Sequence, residues 1–143
     1  MNALLSIKPE FAEKILRHEK EYEFRKTSFS RPSEVNRVFL YASSPTQEIV
    51  GYFTIGDVEK ECPEVLWRQY GSESGINEQS RFMNYFSGVD SGYAIEIQDT
   101  HRLSQPIDPR ACFEDFRPPV SFQYVDRGYD FILGNQTTLS GSD

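Results

Sequence analysis

The chain has 143 residues, of which 38% are hydrophobic, 26% charged and 14% aromatic, a composition typical of one globular domain. Its formal net charge of −7 makes duplex DNA an unlikely partner, because an acidic surface repels the phosphate backbone. The charge is uneven, with a balance of +2 over residues 1–40 and −9 over residues 41–143. The basic excess in the first third leaves room for a local anion site, although the asymmetry could also serve only solubility.

The two cysteines and two histidines are scattered, whereas a metal needs three or four clustered ligands, so we expect no metal and no cofactor. The amino-terminal residues lack a signal-peptide pattern, and no stretch approaches the roughly 18 apolar residues of a membrane span. We expect a cytoplasmic protein with reduced thiols and no membrane contact. The sequence assigns no oligomeric state.

The elements follow in chain order. A short apolar run, Leu4–Ile7, precedes a proline-initiated helix start at Lys8-Pro9-Glu10, and apolar residues then recur at helical spacing to about residue 18. Residues 20–26 alternate as a strand. Further predicted elements are strands over 35–42, 48–58 and 92–99, helices over 63–70 and 77–86, and a proline-broken stretch over 110–124 with one helical turn. In the second of these strands, Gly51 and Gly56 mark either a bulge or a close backbone approach.

This order predicts an α+β fold in which mixed or antiparallel strands curl into a small β-barrel with flanking helices. We expect a single domain over residues 1–133. The Gly/Ser/Thr-rich residues 134–143 have nothing apolar to bury, so we expect a disordered tail that can be deleted without unfolding the domain.

Several blocks of sequence resemble one family. The first block runs from Leu5-Ser6-Ile7-Lys8-Pro9-Glu10 into Lys20-Glu21-Tyr22-Glu23-Phe24-Arg25. Together with Tyr41-Ala42-Ser43-Ser44-Pro45 and Gly92-Tyr93-Ala94-Ile95-Glu96-Ile97, it resembles ASCH domains, especially the group labelled predicted transcriptional regulators. The chain departs from the pattern at His18, where a glycine is usual.

The resemblance implies a PUA-like β-barrel and a cleft that binds RNA or a modified base. It also implies that hydrolysis is within the family's range, since some relatives are hydrolases, including a nucleoside amidohydrolase and a metal-dependent ribonuclease. In the amidohydrolase pattern a threonine nucleophile lies three residues after the lysine, and here that position is Glu23. A carboxylate is an unusual nucleophile for amides, which argues against the same reaction.

The main candidate for the ligand site is the group Lys20, Glu23 and Arg25. Alternation places Glu23 and Arg25 opposite Tyr22 and Phe24, on what we expect to be the outer face, so that alanine there should leave no core cavity. The cations could bind phosphate or carbonyl oxygens, and the carboxylate could accept from a base amino group. The alternative is an ordinary solvated ion pair.

Two further segments are candidates. Ser6 and Lys8 precede a helix start, where free N–H groups favour an anion, although simple helix capping would explain them too. Tyr41, Ser43 and Ser44 end a strand and could form a polar rim, or only a turn.

Three functions are open. The first is a binding module for RNA or a modified nucleotide, with a regulatory output. The second is a small hydrolase, either a ribonuclease or a nucleoside amidohydrolase, that uses Lys20, Glu23 and Glu73, although Glu73 lies in a Gly/Ser-rich bend and could be a simple loop residue. The third is a protein-interaction domain whose acidic part faces a basic partner.

Overall fold

The computed structural model describes residues 1–125. Within them the chain forms one sheet, flanked by short helices. The strands are β1 (Asn2–Ile7), β2 (Tyr22–Arg25), β3 (Val38–Ala42), β4 (Glu48–Glu61), β5 (Gly92–Ile107) and β6 (Phe122–Val125). The helices are α1 (Pro9–Leu16), α2 (Pro63–Tyr70), α3 (Gln79–Tyr85) and α4 (Pro109–Cys112), with 3₁₀ turns at Pro32–Glu34 and Gly71–Glu73.

Most predicted elements are present, and the main differences lie at the ends of the chain and of the long strands. β4 and β5 continue past their predicted limits to Glu61 and Ile107. The predicted helical turn is α4, but the expectation of irregular structure up to residue 124 is wrong because β6 forms there. β6 is a four-residue edge strand whose partner is β1, and no local pattern reveals so distant a pairing. The predicted tail over residues 134–143 lies outside the described residues.

The sheet has the strand order β2-β5-β4-β3-β1-β6. β1 and β3 run parallel, and the other neighbouring strands run antiparallel. Although β2 and β6 are opposite edges of the sheet, Phe29 just after β2 stacks edge-on against Phe122 of β6 at 4.6 Å between ring centroids. The sheet is therefore curled into a half-barrel, which confirms the predicted mixed α+β architecture.

Strand alternation divides the core into clusters on the two faces of the sheet. In β1, Leu5 joins Ile15 of α1 and Leu40 in the first cluster, whereas Leu4 joins Phe39 on the opposite face. A third cluster packs α2 and α3 against β2 and β5; its fully or nearly fully buried side chains are Phe24, Leu66, Phe82, Phe86 and Ala94.

Gly51 allows close packing between β4, β5 and α1. A Cβ atom there would lie 2.5 Å from the carbonyl oxygen of His101 and 2.7 Å from a methyl carbon of Leu16. The expectation of a close backbone approach at Gly51 is thus confirmed. Among the described residues, no helix is long and apolar enough to span a bilayer.

Candidate functional site

A cleft with two chambers lies where β1 leads into α1. The first chamber, of about 430 Å³, is bounded by this junction, β2 and α3. The second, of about 350 Å³, lies between the same junction, the β3–β4 turn and residues 118–120. Ser6, Ile7 and Lys8 line both chambers and form their shared wall. Each volume is in the range of small-molecule sites.

The first chamber contains a buried ionic triad of Lys20, Glu23 and Arg25. Lys20 Nζ lies 3.3 Å from Glu23 Oε1, and Arg25 Nε donates to Glu23 Oε2 at 2.7 Å. Lys20 and Glu23 are only 3% and 5% exposed. One carboxylate is therefore held between two cations at low solvent exposure, where ion pairing is much stronger than on a surface.

The expectation that this face of β2 is the outer surface is wrong. Alternation does separate Glu23 and Arg25 from Phe24, as predicted, but Phe24 packs beneath α2 and α3 in the third cluster. The opposite face of β2 therefore looks into the curled sheet, where Glu23 is buried. The alternative of a solvated ion pair fails for the same reason, and alanine at Glu23 would leave cations unpaired in the interior.

Arg25 also closes the open side of the half-barrel. Its Nη2 donates to the carbonyl oxygen of Ser6 in β1 at 2.8 Å, and its Nη1 donates to Ser121 Oγ just before β6 at 3.4 Å. One guanidinium thus connects the β2 edge with the strands at the other edge. The planar fork of arginine suits this task, because its several N–H donors point in fixed directions.

Lys20 connects the loop between α2 and α3 to the triad through a hydrogen bond. Its ammonium donates to the carbonyl oxygen of Ser74 at 2.5 Å, and Lys14 donates in parallel to that of Gly75 at 2.6 Å. Gly75 has φ of +76°, a conformation that side chains with a Cβ rarely adopt. The loop that leads into α3 is therefore held by two lysines from the α1–β2 region.

The protonation states of the triad follow from burial and charge. Burial raises the pKa of the Glu23 carboxyl, but the charges and hydrogen bonds of Arg25 and Lys20 outweigh this effect and hold the pKa below its ordinary value. Burial lowers the pKa of the Lys20 ammonium, and Glu23 opposes part of that decrease. As ion pairs of Glu23 with Lys20 and with Arg25, the triad has a formal net charge of +1.

Positive charge is concentrated in the first chamber. Among residues 1–125, Lys8, Lys20, Arg25 and Arg81 line it, against a single carboxylate from Glu23. The balance is +3, and it remains positive when Glu10, which accepts from Arg81 Nη2 at 2.5 Å at the rim, is included. The rest of this −7 chain is correspondingly more acidic.

Aromatic rings border the same chamber. Phe11 is half-buried, with the Arg81 guanidinium 4.8 Å from its ring centroid. Tyr85 of α3 is 42% exposed and lines the chamber. An exposed ring close to cations, as at Tyr85, is the kind of surface on which unpaired bases stack.

The second chamber is rich in uncharged polar groups. Tyr41 is 1% exposed, and its hydroxyl has no hydrogen-bond partner among residues 1–125. Ser43, Ser44 and Gln47 line the chamber beside it, and Gln47 Nε2 donates to Ser44 Oγ at 3.1 Å. Such groups can donate to and accept from a neutral polar ligand.

The ASCH domain family matches residues 5–101, which include the triad and the shared wall of the two chambers. The chain belongs to the ASCH domain family. This confirms the family resemblance that its amino-terminal block carries.

One relative and two solved structures match most of this chain. An ASCH domain-containing ribonuclease of Zymomonas mobilis subsp. mobilis is 29% identical over 126 residues, which span 86% of this chain and 83% of that protein. The crystal structure of ASCH from Zymomonas mobilis superposes with a TM-score of 0.81 at 26% identity, over 94% of each chain. A serine-to-alanine variant of that protein gives a TM-score of 0.83 at 25% identity, again over 94% of each chain.

The structure brings all eight predicted ligand-binding residues of this ASCH domain into the cleft. Ser6, Lys8 and the triad line the first chamber, and Tyr41, Ser43 and Ser44 line the second. The predicted anion site at the helix start is weaker than expected, because the N–H groups of Phe11 and Ala12 bond to the carbonyl oxygen of Lys8. The Lys8 side chain remains exposed and forms no ion pair within residues 1–125.

Glu73 lies apart from the other candidates. It is not among the residues that line either chamber. Its carboxyl lies beside that of Glu21, and burial together with this neighbour raises its pKa. Of the three residues of the hydrolase hypothesis, only Lys20 and Glu23 are in contact.

Sequence reasoning missed the contributions of α3 and of the carboxyl-terminal segment. Arg81, Asn84 and Tyr85 reach the first chamber, and residues 118–120 reach the second. The helical pattern of residues 79–85 does not say which side of α3 meets β2. Within residues 1–125, no group of three or more His, Cys, Asp or Glu side chains is arranged to hold a metal ion.

Proposed function

We propose that this ASCH domain binds unpaired RNA in the two-chambered cleft. The observation that carries the proposal is the charge of the first chamber, +3 within a chain of −7, beside the exposed ring of Tyr85. Cations in a concave site attract phosphate, and an aromatic platform takes a splayed base. The ribonuclease name of the Zymomonas relative supports RNA as the ligand class.

The same charge distribution favours single strands over duplexes. A duplex needs a broad basic surface, whereas here the cations lie inside a chamber and residues 41–143 carry a balance of −9. An unpaired nucleotide can enter such a chamber, whereas a base in a duplex would first have to lose its pairing and its stacking.

Fluorescence anisotropy with a labelled ten-nucleotide RNA of random sequence tests the proposal. We expect this RNA to bind at least about tenfold more tightly than a ten-base-pair DNA duplex. Lys8→Ala should weaken RNA binding about tenfold, since it removes a charge-assisted contact of roughly 1.5 kcal/mol. Lys60→Ala is the matched control, because Lys60 is also exposed but lines neither chamber.

Equal or tighter binding of the DNA duplex would contradict the proposal. So would an equal effect of the two lysine substitutions, since a general charge effect does not depend on position. A role in transcription and the PUA-like class, both implied by the family resemblance, remain predictions.

Cleavage of the bound RNA is the second candidate function. The specific observation in its favour is Tyr41, which lines the second chamber next to the shared wall with Lys8 and whose buried hydroxyl has no hydrogen-bond partner in residues 1–125. In such a cleavage the ribose 2′-hydroxyl would attack phosphorus and release its proton to solvent, the P–O5′ bond would break, and the leaving O5′ would take a proton from the Lys8 ammonium, while the Tyr41 hydroxyl orients the 2′-hydroxyl. The Zymomonas relative, named a ribonuclease, was also crystallised as serine-to-alanine and tyrosine-to-phenylalanine variants, and hydroxyl side chains are what the second chamber offers here.

Incubation of the random RNA with the pure domain, followed by gel electrophoresis, separates the two candidates. Fragments that appear with the wild type and are lost with Tyr41→Phe would establish cleavage. If the RNA stays intact under conditions where anisotropy shows full binding, the domain binds RNA without cleaving it.

A further inference from the structure

The wall between the two chambers suggests how much RNA they hold together. Ser6, Ile7 and Lys8 line both chambers, so a ligand that filled both would pass over this wall. The Lys8 ammonium is exposed at the wall and forms no ion pair within the described residues. It is therefore available to a phosphate located between the chambers.

The two chambers differ in chemistry. The first is cationic and bordered by the rings of Phe11 and Tyr85. The second offers hydroxyl and amide groups, and Lys8 is the only cation that lines it in the described part of the chain. Pro118, Pro119 and Val120 form its other side. The first chamber suits a base with its adjacent phosphate, whereas the second chamber suits an uncharged ribose.

The Tyr41 hydroxyl is an independent indication that the second chamber takes a polar ligand. Burial of a hydroxyl without a partner is unfavourable, and buried hydroxyls in proteins are nearly always hydrogen-bonded. Here the phenol ring is packed at 1% exposure while its hydroxyl has no partner in residues 1–125. A ribose 2′-hydroxyl, which can both donate and accept, would satisfy it.

Resting on the RNA binding proposed above, we infer that the recognition unit is two successive ribonucleotides. One base enters the first chamber against Phe11 or Tyr85, and the phosphodiester lies on Lys8. The ribose of the neighbouring nucleotide occupies the second chamber, with its 2′-hydroxyl bonded to Tyr41. Tyr41 is then the residue that distinguishes RNA from DNA.

Competition against the labelled random RNA tests this inference with unlabelled mixtures. Four mixtures serve as competitors. One contains the four nucleoside monophosphates and one contains the sixteen dinucleoside monophosphates. The other two contain the same dinucleotides with a deoxyribose at the first position or at the second position. We expect the dinucleotides to compete at least tenfold better than the mononucleotides. One of the two deoxy mixtures should lose about three- to tenfold, the range of one hydrogen bond.

Tyr41→Phe gives the decisive comparison. It removes a hydroxyl that has no protein partner and keeps the packed ring, so the variant should fold, which a thermal melt verifies. In this variant the penalty for the deoxy position should disappear, because the partner of the 2′-hydroxyl is gone. Lys8→Ala, with its side chain exposed, should weaken both dinucleotide mixtures equally and preserve the deoxy penalty.

The outcomes are separable. Random RNA that fails to bind the wild-type domain overturns both the proposed function and this inference. If the random RNA binds, two results overturn only the inference. The first is that mononucleotides compete as well as dinucleotides, and the second is that the deoxy penalty persists in Tyr41→Phe.

Discussion

At the scale of single residues, the main feature is that Glu23 is flanked by two cations in the interior. A buried ion pair contributes little relative to a well-packed apolar alternative, but removal of one partner is costly because a charge is left uncompensated. Glu23 is the only anion of the triad, so its loss leaves Lys20 and Arg25 as neighbouring like charges.

We predict that Glu23→Gln lowers the free energy of unfolding by about 3–5 kcal/mol. Urea denaturation followed by circular dichroism measures the change. Glu34→Gln is the control, since Glu34 pairs with Arg31 at 3.5 Å on the surface and such pairs contribute at most about 1 kcal/mol. Similar effects of the two substitutions would show that burial does not set the strength of the Glu23 interactions.

The lowered pKa of Glu23 also predicts an acid dependence. Because the folded-state pKa lies below the unfolded one, the stabilisation is complete above the unfolded value of about 4.3. It is lost as pH falls through the lower, folded-state value. Urea midpoints between pH 6 and pH 3 should therefore fall less steeply in Glu23→Gln than in the wild type, and parallel pH profiles would contradict this assignment.

At the scale of elements, the turn between α1 and β2 stores strain at one position. His18 has φ of +63°, in the left-handed region that favours glycine, and this accounts for the glycine that the family pattern has there. Its ring contributes only a long contact from Nδ1 to Thr100 Oγ1 at 3.4 Å.

We predict that His18→Gly raises the free energy of unfolding by about 0.5–1 kcal/mol, because the strain of a Cβ at positive φ disappears. His18→Ala, which removes the ring but keeps the Cβ, should not stabilise the domain. Melting temperatures of the three proteins decide between the backbone and the imidazole as the source of the effect.

The contact between β2 and the opposite edge depends on the guanidinium of Arg25. Lysine keeps the charge but cannot reach Glu23, the Ser6 carbonyl and Ser121 at once. We predict that Arg25→Lys costs about 1.5–3 kcal/mol and increases amide hydrogen exchange in β6 and β1. Exchange in the paired centre of β4 and β5 should change only with global stability. A uniform change across all strands would contradict a local closing role.

At the scale of the whole molecule, positive charge is enclosed in the cleft while the remainder is acidic. Among the described residues, Lys8 and Arg81 are the exposed cations that line the first chamber. Lys8 has no ion pair there, and a phosphate would replace Glu10 as the partner of Arg81, which gives about two phosphate contacts. For single strands the logarithm of affinity falls with the logarithm of salt concentration with a slope of about −0.7 per phosphate, which gives about −1.4 here.

Titrations of the random RNA at several salt concentrations measure this slope. Lys8→Ala should bring it to about −0.7, and Lys60→Ala should leave it unchanged. A slope near zero would favour a protein-interaction domain, and a slope several times steeper would indicate a larger basic surface than the cleft provides.

The sequence by itself determined the identity of most elements and of most cleft residues. Periodicity distinguishes α1 from β2, and the separation of Glu23 and Arg25 from Phe24 follows from alternation alone. The positive balance of residues 1–40 likewise predicted which third of the chain supplies the cations, because Lys8, Lys20 and Arg25 all lie there.

Only the tertiary structure decided what those residues face. Alternation defines two sides of β2 but cannot say which is inside, since that depends on the curl of the sheet and on α2 and α3 covering Phe24. For the same reason the triad is buried, Glu73 lies elsewhere, and Tyr85 and residues 118–120 complete the chambers. These are contacts between residues distant in sequence, and local patterns carry no information about them.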